Sequence, residues 1–318
     1  MPLFLFLAFS SVFGLFYHHF TMAASITWDG NTDLDGGDGV NWSDPLNWST
    51  NTVPGAADIA VFDATYTGDS TIDASFAGTV DGIDINAGYT GTITVARSLI
   101  VETGDFAQAD GIFDCGSQTI TFTSAVFTIT GGTFTEGTST VIFTGSSQNF
   151  DVNVTEAFYN VTIDKTDLNI LTIASGDTMV VTNDLYLTDG KIITGTIDAR
   201  KNIVQHADFD GGNATLDFGD DAVAQTYNIA GGRVPVIEFD SSADASDEVV
   251  LTADAEFTGL SITADFGANA VPITYNGYNL TISTSDFTQA AGTFTAPSVL
   301  TLDGADFIKT GGTFVEGV

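Results

Sequence analysis

The sequence predicts an all-β chain wound as a right-handed parallel β-helix, with coils of about 20–21 residues and a tryptophan-rich N-terminal cap. Three observations lead there. Phe106, Gly111, Phe113 and Phe122 recur as Phe127, Gly132, Phe134 and Phe143, each displaced by 21 residues. Phe287, Gly292 and Phe294 return as Phe307, Gly312 and Phe314, displaced by 20. From about residue 71 onward the chain reads as Thr-, Val- and Ile-rich strands broken by Gly, Asp and Asn, as at 90–95, 118–123, 139–145, 160–164, 178–182, 279–283 and 299–304. Alternation of apolar residues with threonine suits a strand with one buried face, and no segment holds a helical period.

A string of β-sandwiches is the competing architecture, but sandwich strands do not repeat Phe, Gly and Phe in phase. Left-handed hexapeptide helices would step in multiples of six, which this chain does not do. In the parallel β-helix the six phenylalanines from Phe106 to Phe143 face inward as three stacked pairs, and the repeated glycines occupy turns closed to other residues. A longer similarity lies over the short one. Residues 82–111 resemble 160–190 and 259–292, which reads as duplication of a block several coils long.

The organisation expected along the chain has three parts. Residues 2–17 are an unbroken run of apolar and small residues leading to Ala23-Ala24, so residues 1–24 read as a secretory signal peptide, although no basic residue precedes the run. Residues 25–70 hold all three tryptophans and form a capping segment. Residues 71–318 are the β-helix repeats. The last of them stops in a phrase parallel to 131–138, which suggests a truncated C-terminus and either a longer natural product or axial self-association.

Charge narrows the partners. The 318 residues include 41 acidic and seven basic ones, a formal net charge of −34 spread over the whole chain. Phosphate binding needs clustered Lys and Arg, so nucleic acid is excluded and anionic membrane surfaces are disfavoured. No segment after residue 24 is apolar enough to insert into a membrane. Cys115 is the only cysteine, which rules out an intrachain disulfide and reads as a small buried residue.

Trp28-Asp29-Gly30, Asn41-Trp42-Ser43, Asn47-Trp48-Ser49, Val53-Pro54-Gly55 and Val61-Phe62 form a series. It resembles the opening module of secreted bacterial β-solenoid surface proteins, the autotransporter-passenger and filamentous-haemagglutinin-like group. Residues 131–145 and 158–164 resemble the repeats of that group. The resemblance covers nearly all of the chain after residue 24. It implies a secreted or cell-surface protein of adhesive, matrix or envelope function, non-catalytic, whose partners are cell-surface or matrix glycans or proteins. It also implies a structural role for Trp28, Trp42 and Trp48, covering the open first coil; aromatic stacking on sugars is the alternative.

No cofactor is expected, with calcium the one ion left open. Asn31, Asp33, Asp35 and Asp38 place hard oxygen ligands in a Gly-rich turn, as the start of a calcium loop does. The twelfth position from Asn31 is Trp42, where an EF-hand needs glutamate. This loop carries the reading of a calcium-dependent surface-layer component. A carbohydrate-active β-helix lyase or hydrolase is the remaining alternative. Asp208, Asp210, Asp217, Asp220 and Asp221 are its candidate acids, but no sequence motif sets paired acids beside Arg or Lys. His206 has no Ser or Cys motif to join.

Overall fold

The computed structural model describes residues 23–32, 34–218, 224–239, 247–263, 265 and 271–317. Residues 1–22 of the expected signal peptide (1–24), Asp33, Asp220 and Asp221 lie outside the described residues. The protein is an all-β solenoid of about 11 turns, in which the strand pairs are parallel. A single 3-10 turn, Pro45–Asn47, is the one helical element among the described residues.

Most coils carry three strands, one on each of three faces. The first face is an eight-stranded sheet from Ala24–Thr27 to Lys191–Ile193. The second holds a four-stranded sheet, Ser70–Ile72 to Thr133–Thr135, and is then taken over by a sheet that starts at Thr155–Phe158. The third is ten-stranded, from Thr79–Val80 to Ile273–Thr274. Threonine alternates with Ile, Val or Phe along these strands, so one side chain in two points into the coil and the next outward. Thr119–Thr123 shows the result, with Ile120 and Phe122 fully buried and the three threonines between buried and exposed.

The 21-residue register is borne out residue by residue. Phe127 pairs with Phe106, Phe134 with Phe113 and Phe143 with Phe122. Their rings stack at 5.0, 5.7 and 5.7 Å, with all six side chains buried. Gly111 and Gly132 take φ of +65° and +77°, and a Cβ on Gly132 would lie 2.5 Å from the Asp110 carbonyl. Only glycine fits that stacked turn. The column runs one coil further than the register shows. Phe150 stacks on Phe127 at 5.3 Å, and Phe158 packs at 5.4 Å from Phe134. On the last described coil, Phe307 pairs with Phe287 at 4.7 Å but stays 39% exposed, since nothing described lies over it.

The longer similarity keeps no common face, so the block it repeats is not a whole number of coils. Gly82–Ile85 belongs to the first face and Asn160–Lys165 to the third, while residues 259–262 complete Ala255–Ile262 on the second. Copies of a whole number of coils would return to the same face. All three faces use the same apolar–threonine alternation, so strand texture recurs without the coil recurring.

The segment 25–70 is continuous with the coils. Ala24–Thr27 pairs with Asp58–Phe62, which pairs with Gly82–Ile85. Above that first rung Trp28, Trp42 and Trp48 are all fully buried. Trp48 stands edge-on to Trp28 at 5.0 Å and to Trp42 at 5.2 Å, and Trp42 stacks on Phe62 at 5.4 Å. The Trp48 indole donates to the Trp42 carbonyl and the Trp42 indole to Ser70 Oγ. Buried on every side, these rings close the core and offer no platform to a sugar.

Candidate functional site

The 29–39 loop is organised by its own polar groups. The Asp38 carboxylate accepts from Val40 N, Asn41 N, Asn41 Nδ2 and Asn47 Nδ2 at 2.7–2.9 Å. Burial works to raise its pKa, and these donors outweigh it, bringing the group down to about 2. Asn31 Oδ1 accepts from Gly36 N, and Asp35 Oδ1 from Gly37 N. Asn47, fully buried, ties the loop together through Gly39 N, Asp38 and the Asn41 carbonyl. Sequence reasoning missed Asn47, because nothing in a single asparagine signals that it will be buried.

Among the described residues no group of three or more His, Cys, Asp or Glu is arranged to hold a metal, and Asp33 is outside them. If the loop takes calcium, millimolar Ca²⁺ will raise the melting temperature beyond what NaCl of equal ionic strength achieves. Identical melting curves in the two salts would remove calcium from this loop.

Cys115 is buried, and burial pushes its thiol well above the usual range, as suits an inert core residue. Other polar groups inside the coils were not foreseen. Gln108 and Gln289 sit at matching places in the two Phe–Gly repeats. Each is buried and donates Nε2 to a carbonyl of the next coil, Thr133 at 3.0 Å and Thr313 at 2.9 Å. The spacing Phe-x-Gln-x-x-Gly, shared by 106–111 and 287–292, is the signal that would have found them. Lys165 is fully buried as well. Its ammonium donates to the carbonyls of Thr144 and Ser146, at 2.7 and 2.9 Å, and to Gln148 Oε1. Burial lowers its pKa to about 7.

Of the five candidate acids Asp220 and Asp221 lie outside the described residues, Asp208 and Asp210 stay together, and Asp217 stands apart on another strand. Asp208 is exposed and pairs with His206 Nδ1 at 3.4 Å. Asp208 and Asp210 border a depression of about 510 Å³ that Asp167 and Asp189 also line. Asp217 lies on the second face, in register with Asp198 on one side and Glu238 on the other, and Arg200 pairs with Asp198 at 2.8 Å. The acids Asp198, Asp217 and Glu238, far apart in the sequence, are thus brought into line between coils beside the local Arg200–Asp198 pair.

The richest arrangement lies where the first and second faces meet. Phe209 bridges to Gly190, Asp210 to Arg233, and Arg233 pairs with Glu256. Lys191, Asp210, Arg233 and Glu256 therefore follow one another on successive coils, alternating in charge. Arg233 holds Glu256 at 2.5 Å, and Ser283 Oγ donates to Glu256 at 2.5 Å. Burial raises the Asp210 pKa; Lys191 and Arg233 pull it down, while Asp189 and Asp167 push it up. Beside this column a cavity of about 350 Å³ opens.

No protein-family model, curated protein or solved structure matches this chain.

Proposed function

We propose that the protein is a secreted or cell-surface, non-catalytic rod that serves adhesion or the architecture of a matrix or envelope. The observation that carries the reading is the continuous parallel ladder itself. About 11 stacked turns form an extended body whose side chains alternate between a packed core and a polar, threonine-rich exterior. At about 4.8 Å per coil the ladder spans on the order of 50 Å, and each coil adds surface without altering the others. The acidic balance of −34 keeps such a rod in solution and away from polyanions. The resemblance to secreted bacterial β-solenoid surface proteins supports the same reading. Beads coated with the full chain should adhere to cells or matrix more than beads coated with a soluble acidic control. Equal retention of both would count against adhesion.

The carbohydrate-active reading keeps one specific observation in its favour: Asp210 stands between Lys191 and Arg233 and shares its depression with Asp167, Asp189 and Asp208. The two readings part on a simple assay. A non-catalytic rod releases neither reducing ends nor unsaturated products from pectin, alginate or chitin, and product formation by the pure protein would replace the first reading with the second.

A further inference from the structure

The cavity beside the charged column is a consequence of chain length. At this corner the chain runs from Asp210 to Thr215 on one coil, whereas the residues paired with them, Arg233 and Val236, are two positions closer together. On the following coil Glu256 and Leu260 are again two positions closer than their partners Thr281 and Phe287. Two consecutive coils thus cross the corner as the unbroken strands Arg233–Phe239 and Ala255–Ile262, while the coils on either side carry protruding turns. Pro235, with no N–H to give a ladder, occupies the bend of the first. The missing turns leave a notch between residues 211–213 and Thr284.

Three features make the notch more than a gap. Thr258, in the second shortened coil, lines it, is 3% exposed, and its hydroxyl has no hydrogen-bond partner among the described residues. A buried hydroxyl left without a partner is costly, so a ligand that bonds it recovers something water-exposed surface does not offer. Gly211, at φ +76°, keeps the way open: a Cβ there would lie 2.7 Å from Arg233 Cγ and 3.1 Å from Thr258 Oγ1. Finally, among the described residues three β-branched ones have positive φ: Thr284 lines the notch, and Thr194 donates its N–H to Asn213 Oδ1 of the notch wall. Such conformations are costly for branched side chains and gather where a shape is being held.

We propose that this notch binds an uncharged sugar, one pyranose unit of a neutral glycan. The chemistry of the walls selects it. Lys191 and Arg233 supply donors, Asp210 supplies an acceptor, and Asn213 and Thr258 supply both, with Ile193 as an apolar wall. A bound anion would meet Asp210 and Glu256 within a body of −34, and a metal ion would meet Lys191 and Arg233. Vicinal hydroxyls, each donor and acceptor at once, use both signs of the column. The Lys191 ammonium, which pulls on Asp210 through its charge, makes no side-chain hydrogen bond among the described residues, so its donors are open to a ligand. The inference supplies a ligand class to the adhesive reading, and its test is kept separable from that reading.

The experiment is calorimetric titration of the full chain with neutral hexoses, N-acetylhexosamines and their short oligomers, with galacturonate and inorganic phosphate as anionic probes. The expected result is binding of a neutral sugar, weakened about tenfold or more in Thr258→Val and in Lys191→Met, both variants melting as the parent does. Thr258→Val is nearly isosteric and removes an unbonded hydroxyl, so its fold is expected to hold. Failure of every neutral sugar to bind, binding of the anions alone, or undiminished affinity in Thr258→Val would overturn the site. The bead assay run in parallel tells the two ideas apart. Sugar binding without adhesion would sink the adhesive reading and keep the notch, and adhesion by a chain that binds no neutral sugar would do the reverse.

Discussion

Replacing Phe127 with alanine is expected to destabilise the protein by about 3–5 kcal/mol, the range for truncating a fully buried aromatic ring. Phe127 lies at the centre of the aromatic column. Its ring is nearly parallel to Phe106 at 5.0 Å and to Phe150 at 5.3 Å, and meets Phe122, Phe134 and Phe143 edge-on at 5.2–5.9 Å. Backbone pairing to both neighbouring coils holds the walls apart, so they have little freedom to collapse into the space left behind. Phe307→Ala provides the contrast, since that ring is 39% exposed and has a partner strand on one side only. Its cost should fall below about 1.5 kcal/mol. Urea melts of both variants measure the difference, and equal midpoints would refute the central place given to Phe127.

The second large effect concerns pH. Lys165 has a folded pKa of about 7, against about 10.4 for an unperturbed lysine. Between these values the unfolded chain keeps a proton that the folded chain has released, so stability rises with pH across this window. The gain is complete above about pH 10.4 and is lost as pH falls to 7. Three carbonyl oxygens around the ammonium favour its charged form and work against the shift, so about 5 kcal/mol is an upper bound. Lys165→Met removes the titrating group, and its stability should be flatter from pH 7 to 9.5 than that of the parent. The variant should also be weaker at pH 9.5, because Gln148 Oε1 and the carbonyls of Thr144 and Ser146 lose their donor. Parallel pH profiles for the two proteins would show that Lys165 does not titrate in this window.

What could be read from the sequence was whatever repeats at a constant step. The phenylalanine pairs, their glycine turns and the absence of helix all follow from residues 106–143. The column's extension to Phe150 was hidden because that coil is longer, placing Phe150 twenty-three residues after Phe127. The acidic loop was visible as a cluster of oxygen ligands, but its actual organiser, Asn47, comes from outside the motif. The notch was the least legible feature. Lys191, Asp210, Arg233 and Thr258 come from four coils and carry no shared spacing, since the coils that form the notch are the ones that break the step. Periodicity reveals the regular body of a solenoid and conceals the places where the body departs from it.

The aromatic column also bears on how the chain reaches its fold. Eight phenylalanines from Phe106 to Phe158 touch one another within three consecutive coils, and no other stretch of the described chain concentrates as many rings. In a molecule where each coil contacts only its neighbours, ordering begins wherever the first few coils gain the most from meeting. That place is this block, whose contacts join residues about 21 positions apart and so close only short loops. Once formed, it presents an unpaired strand edge in each direction, and the remaining coils wind on outward, toward the tryptophans on one side and the notch on the other. Amide hydrogens of residues 106–158 should accordingly be the last to exchange with solvent, and the notch should be shaped late, on a template already set.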